Sequence, residues 1–171
     1  MKWRRSLGNI RKAKKLFWSV LFLAFCLEAF EKDEAILEVA CKELSHVGVI
    51  RCLDGFVYVD VDDAYIHTLL PYLSEEGFEM PPYFGQVGLV GGHITIIDAG
   101  EITCCDIQEC GQSVSFTPIE GMVVSPPSWK GIEKAYLIIV EAPELDEIRM
   151  THGLSLRKYP YHITIGVKRV E

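Results

Sequence analysis

The stretches His93-Ile94-Thr95-Ile96 and His162-Ile163-Thr164-Ile165 repeat the same four residues in the same order at two places in the chain. Both are rich in β-branched residues, which are typical of strands. On a strand, residues i and i+2 share a face, so each histidine points the same way as its threonine while the isoleucines point into the core. An ordinary strand with a polar outer face explains this alternation, but it does not explain the same two polar residues twice.

The residues before the first motif predict a strand, a helix and a loop. Residues 56–60 alternate in the manner of a strand, and the next helix has Asp62 as its cap and Gly77 as its end. A loop rich in Pro and Gly, residues 80–85, leads into the motif strand. Before this unit, residues 31–49 are assigned to an N-terminal helix because their apolar residues have helical spacing.

The residues before the second motif predict the same order again. A strand at residues 135–140 is followed by a helix with Pro143 in its first turn and Gly153 at its end, and then by a basic loop at residues 156–161. Between the halves, residues 113–124 predict a strand pair or a strand and turn. The repeated order is what a duplicated α+β unit leaves in a sequence.

Two His-x-Thr motifs, each behind a strand and a helix, resemble those of the 2H phosphoesterase superfamily over residues 50–171. The resemblance implies an α+β fold of two pseudo-symmetric lobes, each an antiparallel sheet with flanking helices, and a central cleft between them. A proline often precedes the motif histidine in this family, whereas Gly92 and Tyr161 stand there in this chain. Members include RNA 2',3'-cyclic phosphodiesterases, RNA ligase-like proteins and enzymes that cut 2',5'-linked or cyclic oligonucleotides.

The resemblance places the catalytic groups on His93, Thr95, His162 and Thr164. In-line hydrolysis of a phosphodiester needs a base for the water and an acid for the leaving oxygen, and two imidazoles supply both. By analogy His93 is the acid and His162 the base, although the sequence does not order them. The threonine hydroxyls are expected to donate hydrogen bonds to the non-bridging oxygens, and no metal or other cofactor is expected.

Substrate contacts are expected from side chains near the motifs. Tyr83 and Phe84 in the first loop and Tyr161 beside the second motif are suited to stack a base. Lys158, next to Arg157, is suited to meet a phosphate. The alternatives are that the aromatic residues pack at the lobe interface and that the basic residues are solvated loop charges.

The distribution of charge limits the size of the substrate. Residues 31–171 hold ten Lys and Arg against 23 Asp and Glu, a net charge of −13. A body this acidic repels a long phosphate backbone, which excludes a long duplex as a partner. We expect a monomeric phosphodiesterase acting on a small cyclic or short 2',5'-type nucleotide. The alternatives are RNA end processing or ligation on a longer strand, and a non-catalytic nucleotide-binding module of the same fold.

Residues 1–30 have the order of a targeting leader. Seven Lys and Arg against one acidic residue give this segment a net charge of +6, and an apolar run follows Lys15. The run, residues 16–27, is too short to span a bilayer comfortably. We expect a signal peptide or membrane anchor, and hence an exported or membrane-anchored protein. A packed or membrane-surface helix is the alternative, with the packed form in the cytoplasm.

The cysteines do not form a recognisable framework. Five lie beyond the leader, an odd number, and no Cys-x-x-Cys pair predicts a zinc site. Cys104 and Cys110 are spaced to close a small loop in an oxidising compartment, while the alternative is that the cysteines are small buried residues. The glycines of residues 85–92 precede a strand instead of following one, which excludes a dinucleotide fingerprint.

Overall fold

The structure is a computed structural model that describes residues 31–82, 84, 90–102 and 107–170. The leader predicted at residues 1–30 lies outside the described residues, so this prediction stays untested. The strands are β1 (Val47–Leu53), β2 (Phe56–Asp60), β3 (His93–Ile97), β4 (Ser113–Ser115), β5 (Thr117–Val124), β6 (Ile132–Glu141) and β7 (His162–Arg169). The helices are α1 (residues 31–43), α2 (Ala64–Leu69), which continues as a 3-10 helix (Leu70–Glu76), and α3 (Pro143–Thr151).

The strands form one antiparallel sheet in the order β4-β1-β2-β3-β7-β6-β5. The predicted α+β class and antiparallel sheet are therefore confirmed. The two motif strands are neighbours at the centre, and each has its own half of the sheet on its far side. The sheet is continuous across this boundary, so two lobes with separate sheets are not seen, and their pseudo-symmetry stays a prediction.

One face of the sheet holds the main core. Ile94 and Ile96 of β3 and Ile163 and Ile165 of β7 are fully buried there, as the alternation predicts. Side chains of all three helices join this core; they are Ile36 and Ala40 of α1, Tyr65 and Leu69 of α2, and Leu145 and Ile148 of α3. Because the period of a strand is two, the histidines and threonines of the motifs lie on the opposite face.

The N-terminal helix is shorter than the sequence predicts. It ends at residue 43, and β1 begins at Val47, so the assignment of residues 47–49 to a helix is wrong. The turn of the β1–β2 hairpin is Asp54-Gly55, with φ of 47° and 82°. An Asp-Gly pair between alternating strands is a strong hairpin signal, because both central residues of this turn need positive φ. This signal was present in the sequence and identifies β1.

A disulfide joins Cys52 of β1 to Cys110, with 6.1 Å between their Cα atoms. The predicted pairing of Cys104 with Cys110 is therefore wrong, since Cys110 has another partner. The spacing of the cysteines does not predict a link across 58 residues of sequence, because this link depends on β1 lying beside the segment that leads into β4.

Within the described residues, no helix has the length and apolar character needed to cross a membrane.

Candidate active site

The register of the two central strands brings the motifs together. Ile94 of β3 pairs with Ile163 of β7 in an antiparallel ladder. An antiparallel register through this pair sets His93 opposite Thr164 and Thr95 opposite His162. Neighbouring side chains on one face of such a pair lie within contact distance of each other. The four side chains therefore form a compact quartet with each histidine facing a threonine.

The quartet lines a pocket of about 270 Å³ on the open face of the sheet. Its lining residues are Pro82, His93, Thr95, Trp129, Lys130, Ile132, His162 and Thr164. Both histidines are partly buried, and Thr164 is only 7% exposed. A polar quartet in a confined pocket works in a lower effective dielectric than water, which strengthens its hydrogen bonds to a charged group.

The same backbone contact fixes both imidazole rings. Nδ1 of His93 lies 2.8 Å from the carbonyl oxygen of Gly91, and Nδ1 of His162 lies 2.9 Å from that of Pro160. A carbonyl is only an acceptor, so Nδ1–H donates and Nε2 is the unprotonated nitrogen of the neutral ring. Each ring is thus held in the tautomer whose Nε2 can accept a proton, or carry one when the ring is charged.

The backbone before His93 is held by the start of α2. The side chain of Asp63, the N-cap residue of α2, accepts a hydrogen bond from the backbone N–H of Gly92 at 2.8 Å. A Cβ atom at Gly91 would collide with the same carboxylate. The absence of a side chain at Gly91 therefore allows the backbone to approach the start of α2 closely.

The backbone before His162 is held by the start of α3. The hydroxyl of Tyr161 donates to Asp146, in the first turn of α3, at 2.9 Å. The carbonyl of Tyr161 accepts from the N–H of Val140 on β6 at 2.9 Å. The residue next to His162 is therefore fixed from both its side chain and its backbone, and with it the carbonyl of Pro160 that orients the ring.

Aromatic rings surround His93. Phe56 and Tyr58 on β2 stack on each other, and each contacts the imidazole edge to face with centroids 5.8 Å apart. Burial lowers the pKa of His93 below its ordinary value. The bond to the Gly91 carbonyl opposes this shift, the charge of His162 adds to it, and Asp60 opposes it.

Charged groups surround His162. Burial lowers its pKa as well, the bond to the Pro160 carbonyl opposes the shift, Arg157 lowers the pKa further, and Asp98 raises it. The charge of His162 also lowers the pKa of His93, so protonation of the second ring disfavours protonation of the first. The arrangement is suited to keep one imidazole charged and one neutral.

Of the predicted substrate contacts, Phe84, Lys158 and Tyr161 do not line the pocket that holds the quartet. Phe84 is 9% exposed and packs edge to face against His67, and Tyr161 is 8% exposed and belongs to the main core. Lys158 lines a different pocket, and Tyr83 lies outside the described residues. Phe84 and Tyr161 are thus packed with little exposed surface, and their contact with a substrate stays a prediction.

The sequence analysis did not identify four of the residues that line the pocket, which are Pro82, Trp129, Lys130 and Ile132. Trp129 and Lys130 lie in the turn before β6 and line the pocket, yet neither is near a motif in the chain. Trp129 also packs against a second apolar cluster that includes Leu137 and Ile139. A tryptophan and a lysine after two prolines form a weak signal for an exposed turn with a function.

In the described part of the chain, no group of three or more His, Cys, Asp or Glu is placed to hold a metal ion.

Comparison with known proteins gives one match. A family model described as Swiss Army Knife, 2H phosphoesterase domain, matches residues 57–171. This range contains both motifs and begins within β2. No curated protein and no solved structure matches the chain.

Proposed function

Because the chain belongs to the 2H phosphoesterase family, we propose that it is a phosphodiesterase that hydrolyses a small cyclic or short nucleotide by two-histidine acid-base catalysis. The substrate class is a nucleotide with a 2',3'-cyclic or 2',5'-linked phosphodiester. The observation that supports this proposal most is the placement of both histidines and both threonines around one pocket, with each ring oriented by the carbonyl two residues before it.

The proposed reaction uses one histidine on each side of the phosphorus. The neutral imidazole takes a proton from water as the new P–O bond forms, and the charged imidazole gives its proton to the leaving oxygen as the old P–O bond breaks. Thr95 and Thr164 donate to the non-bridging oxygens, where negative charge is concentrated. The family analogy makes His93 the acid and His162 the base. No step needs a metal-bound hydroxide.

We further infer that acid and base come from the two halves of an ancestral duplication. Strand β3 belongs to the half β4-β1-β2-β3, and β7 belongs to the half β7-β6-β5. In each half a helix precedes the motif strand, and an aspartate near the start of that helix holds the residue before the histidine. These shared features support pseudo-symmetric lobes within one continuous sheet.

The pocket favours a small substrate. A volume of about 270 Å³ is slightly below the usual range of ligand pockets, roughly 300–1,000 Å³. Among the described residues that line the pocket, Lys130 is the one lysine or arginine, and residues 31–171 as a whole are strongly acidic. One lysine matches one phosphodiester charge, whereas a longer strand would bring further phosphates against an acidic surface.

Incubation of the full chain with 2',3'-cyclic, 2',5'-linked and cyclic oligonucleotides in the presence of EDTA tests the proposal. We expect turnover of at least one small substrate, abolished in the His93→Ala/His162→Ala double variant. Efficient cleavage or joining of only a longer RNA strand would identify an end-processing or ligase-like enzyme. Binding without cleavage of any substrate would identify a nucleotide-binding module.

Substitution of Lys130 tests the phosphate contact. Lys130→Gln should raise KM about five- to tenfold, because loss of one charge-assisted contact costs on the order of 1 kcal/mol. Lys134→Gln is the matched control, since Lys134 lies on β6 in an exposed ion pair with Glu133 and does not line the pocket. An equal KM for both variants would remove Lys130 from substrate binding.

We also propose that the protein is exported or anchored to a membrane. The basic and apolar order of residues 1–30 supports this, and so does the Cys52–Cys110 disulfide, because disulfides persist in oxidising compartments. N-terminal sequencing of the protein from its native host, with fractionation, tests the proposal. Intact Met1 in the reducing cytosol would contradict it.

A further inference from the structure

The seam, meaning the line along which β3 and β7 pair, is short, and an arginine side chain bonds the β3 backbone beyond it. The ladder between β3 and β7 has the single pair Ile94 and Ile163. Beyond this pair, Nη1 of Arg157 donates to the carbonyls of Thr95 and Ile96, at 3.2 and 3.3 Å. The guanidinium therefore occupies the place where a longer strand pair would satisfy these acceptors.

Arg157 also links the two sides of the site. Its Nη2 donates to Asp98, directly after β3, at 3.1 Å, and its side chain is 15% exposed. It comes from the segment that contains Pro160, whose carbonyl orients the His162 ring. One side chain thus ties the backbone of Thr95 to the segment that holds His162, and a guanidinium can do this because its donors form a rigid planar fork.

Arg149 has a different role close by. Its side chain is 4% exposed, pairs with Glu101, and donates to the carbonyls of Ile96 and Ser155. It joins α3 to β3 and to the start of the segment after α3, and it is not adjacent to His162 in the chain. Its removal would cost the buried carbonyl of Ile96 one of its donors and leave the part-exposed Glu101 carboxylate without this partner, which predicts a loss of stability.

We propose that Arg157 is a positioning residue for the two-histidine site, which sets His162 against Thr95 across the short seam. This inference rests on the proposed function for its effect on turnover, but the contacts that carry it belong to the fold. A positioning residue changes kcat more than KM, because a small misplacement of reacting groups is felt most in the transition state.

The charges around His162 provide a second readout. Arg157 faces it from its own segment, Asp98 from the residue after β3, and His93 from β3, while Lys130 lines the same pocket. Arg157 lowers the pKa of His162 and Asp98 raises it. Removing the first should raise the pKa of His162, and removing the second should lower it, so the two partners of one ion pair should shift the titration in opposite directions.

The test compares Arg157→Gln, Arg157→Lys and Asp98→Asn, with Arg169→Gln as the matched control because Arg169 forms an exposed ion pair with Glu79 and does not line the pocket. NMR titration of the His162 ring and kcat and KM on a cleaved substrate are measured. We expect Arg157→Gln to lower kcat about tenfold with KM changed less than about threefold, and to raise the pKa of His162. Arg157→Lys should keep the pKa near that of the parent and recover part of kcat.

The outcomes separate this inference from the proposed function. Opposite shifts in Arg157→Gln and Asp98→Asn in a protein that cuts no phosphodiester would contradict the proposed function and support the placement of Arg157. Unchanged titration and kcat in Arg157→Gln, or equal losses in Arg169→Gln, would overturn the inference. If Arg157→Gln does not fold, the other two variants test the inference. An unchanged pKa of His162 in Asp98→Asn, or an unchanged kcat in Arg157→Lys, would overturn it.

Discussion

The residues before His93 and before His162 are both fixed by a hydrogen bond to an aspartate, but through different atoms. Before His93, the carboxylate of Asp63 accepts from the backbone N–H of Gly92. Before His162, the carboxylate of Asp146 accepts from the side-chain hydroxyl of Tyr161. Both aspartates lie at the start of the helix that precedes the motif strand. In both halves, therefore, an aspartate at the start of a helix fixes the residue before the histidine. The fixed residue itself differs, since it is Gly92 in one half and Tyr161 in the other.

The surroundings of the two rings differ more than their supports. His93 lies against the aromatic pair of β2, whereas His162 lies near the ion pair of Arg157 and Asp98. The local contact from Nδ1 to the carbonyl two residues before is the same in both, because it depends only on the backbone of the motif. Two chemically identical rings with the same orientation therefore lie in different electrostatic surroundings, which is what the proposed division into an acid and a base requires.

Removal of either ring should have the largest effect. His93→Ala and His162→Ala are each expected to lower turnover at least about a hundredfold, as for loss of a general acid or base. The double variant should be little worse than either single variant, because the pair acts as a unit. Steady-state kinetics on a cleaved substrate measure this, with His67→Ala as a control outside the pocket. A single variant with near-parental turnover would show that the two halves do not share the chemistry.

Removal of the threonine hydroxyls should have the next largest effect. Thr95→Val and Thr164→Val are expected to lower kcat about ten- to a hundredfold, because a hydroxyl donor to the non-bridging oxygens is lost. Neither hydroxyl titrates near neutral pH, so the pH of maximal rate should stay the same. The kcat of each variant is measured over a pH series. A displaced maximum would place the threonine in proton transfer instead.

The helix-start aspartates should differ in importance. Asp63→Ala is expected to lower kcat about tenfold, because a charged acceptor for a backbone N–H beside His93 is lost. Tyr161→Phe should cost about threefold or less, since the carbonyl of Tyr161 keeps its bond to Val140. Asp62→Ala is the control for Asp63, because the Asp62 side chain accepts from the N–H of Ala64 at the start of α2, whereas Asp63 accepts from the N–H of Gly92. An equal kcat for Asp62→Ala and Asp63→Ala would show that helix stability alone matters.

The pH dependence should show the smallest effect, a displacement of the optimum. The active form needs one charged and one neutral imidazole, so kcat/KM should follow a bell-shaped curve. Both pKa values are lowered by burial, and the maximum therefore lies on the acid side of about 6.5, the ordinary pKa of histidine. The direction of this displacement is fixed because the two pKa values that bound the bell-shaped curve are both lowered. A pH series with EDTA checks it, and activity that EDTA abolishes and Mn²⁺ restores would contradict the proposed chemistry.

Much of the site is readable from the chain because the motif is local. A strand has a period of two, so His-Ile-Thr-Ile alone predicts which side chains share a face, and the buried isoleucines agree. Trp129 and Lys130 were not readable in this way, since they reach the pocket from a turn far from both motifs. Phe84 and Tyr161 show the converse. Proximity in sequence suggested substrate contacts, while packing used their rings in the interior.

The sequence by itself determined the family, the α+β class and the quartet of candidate residues, because strand periodicity and a repeated motif are properties of neighbouring residues. Only the tertiary structure decided that β3 and β7 pair at Ile94 and Ile163, that Cys52 joins Cys110, and that Arg157 bridges the seam. Each of these depends on segments far apart in the chain meeting in one sheet. Register and long-range pairing follow from the burial of the whole core, which no local pattern encodes.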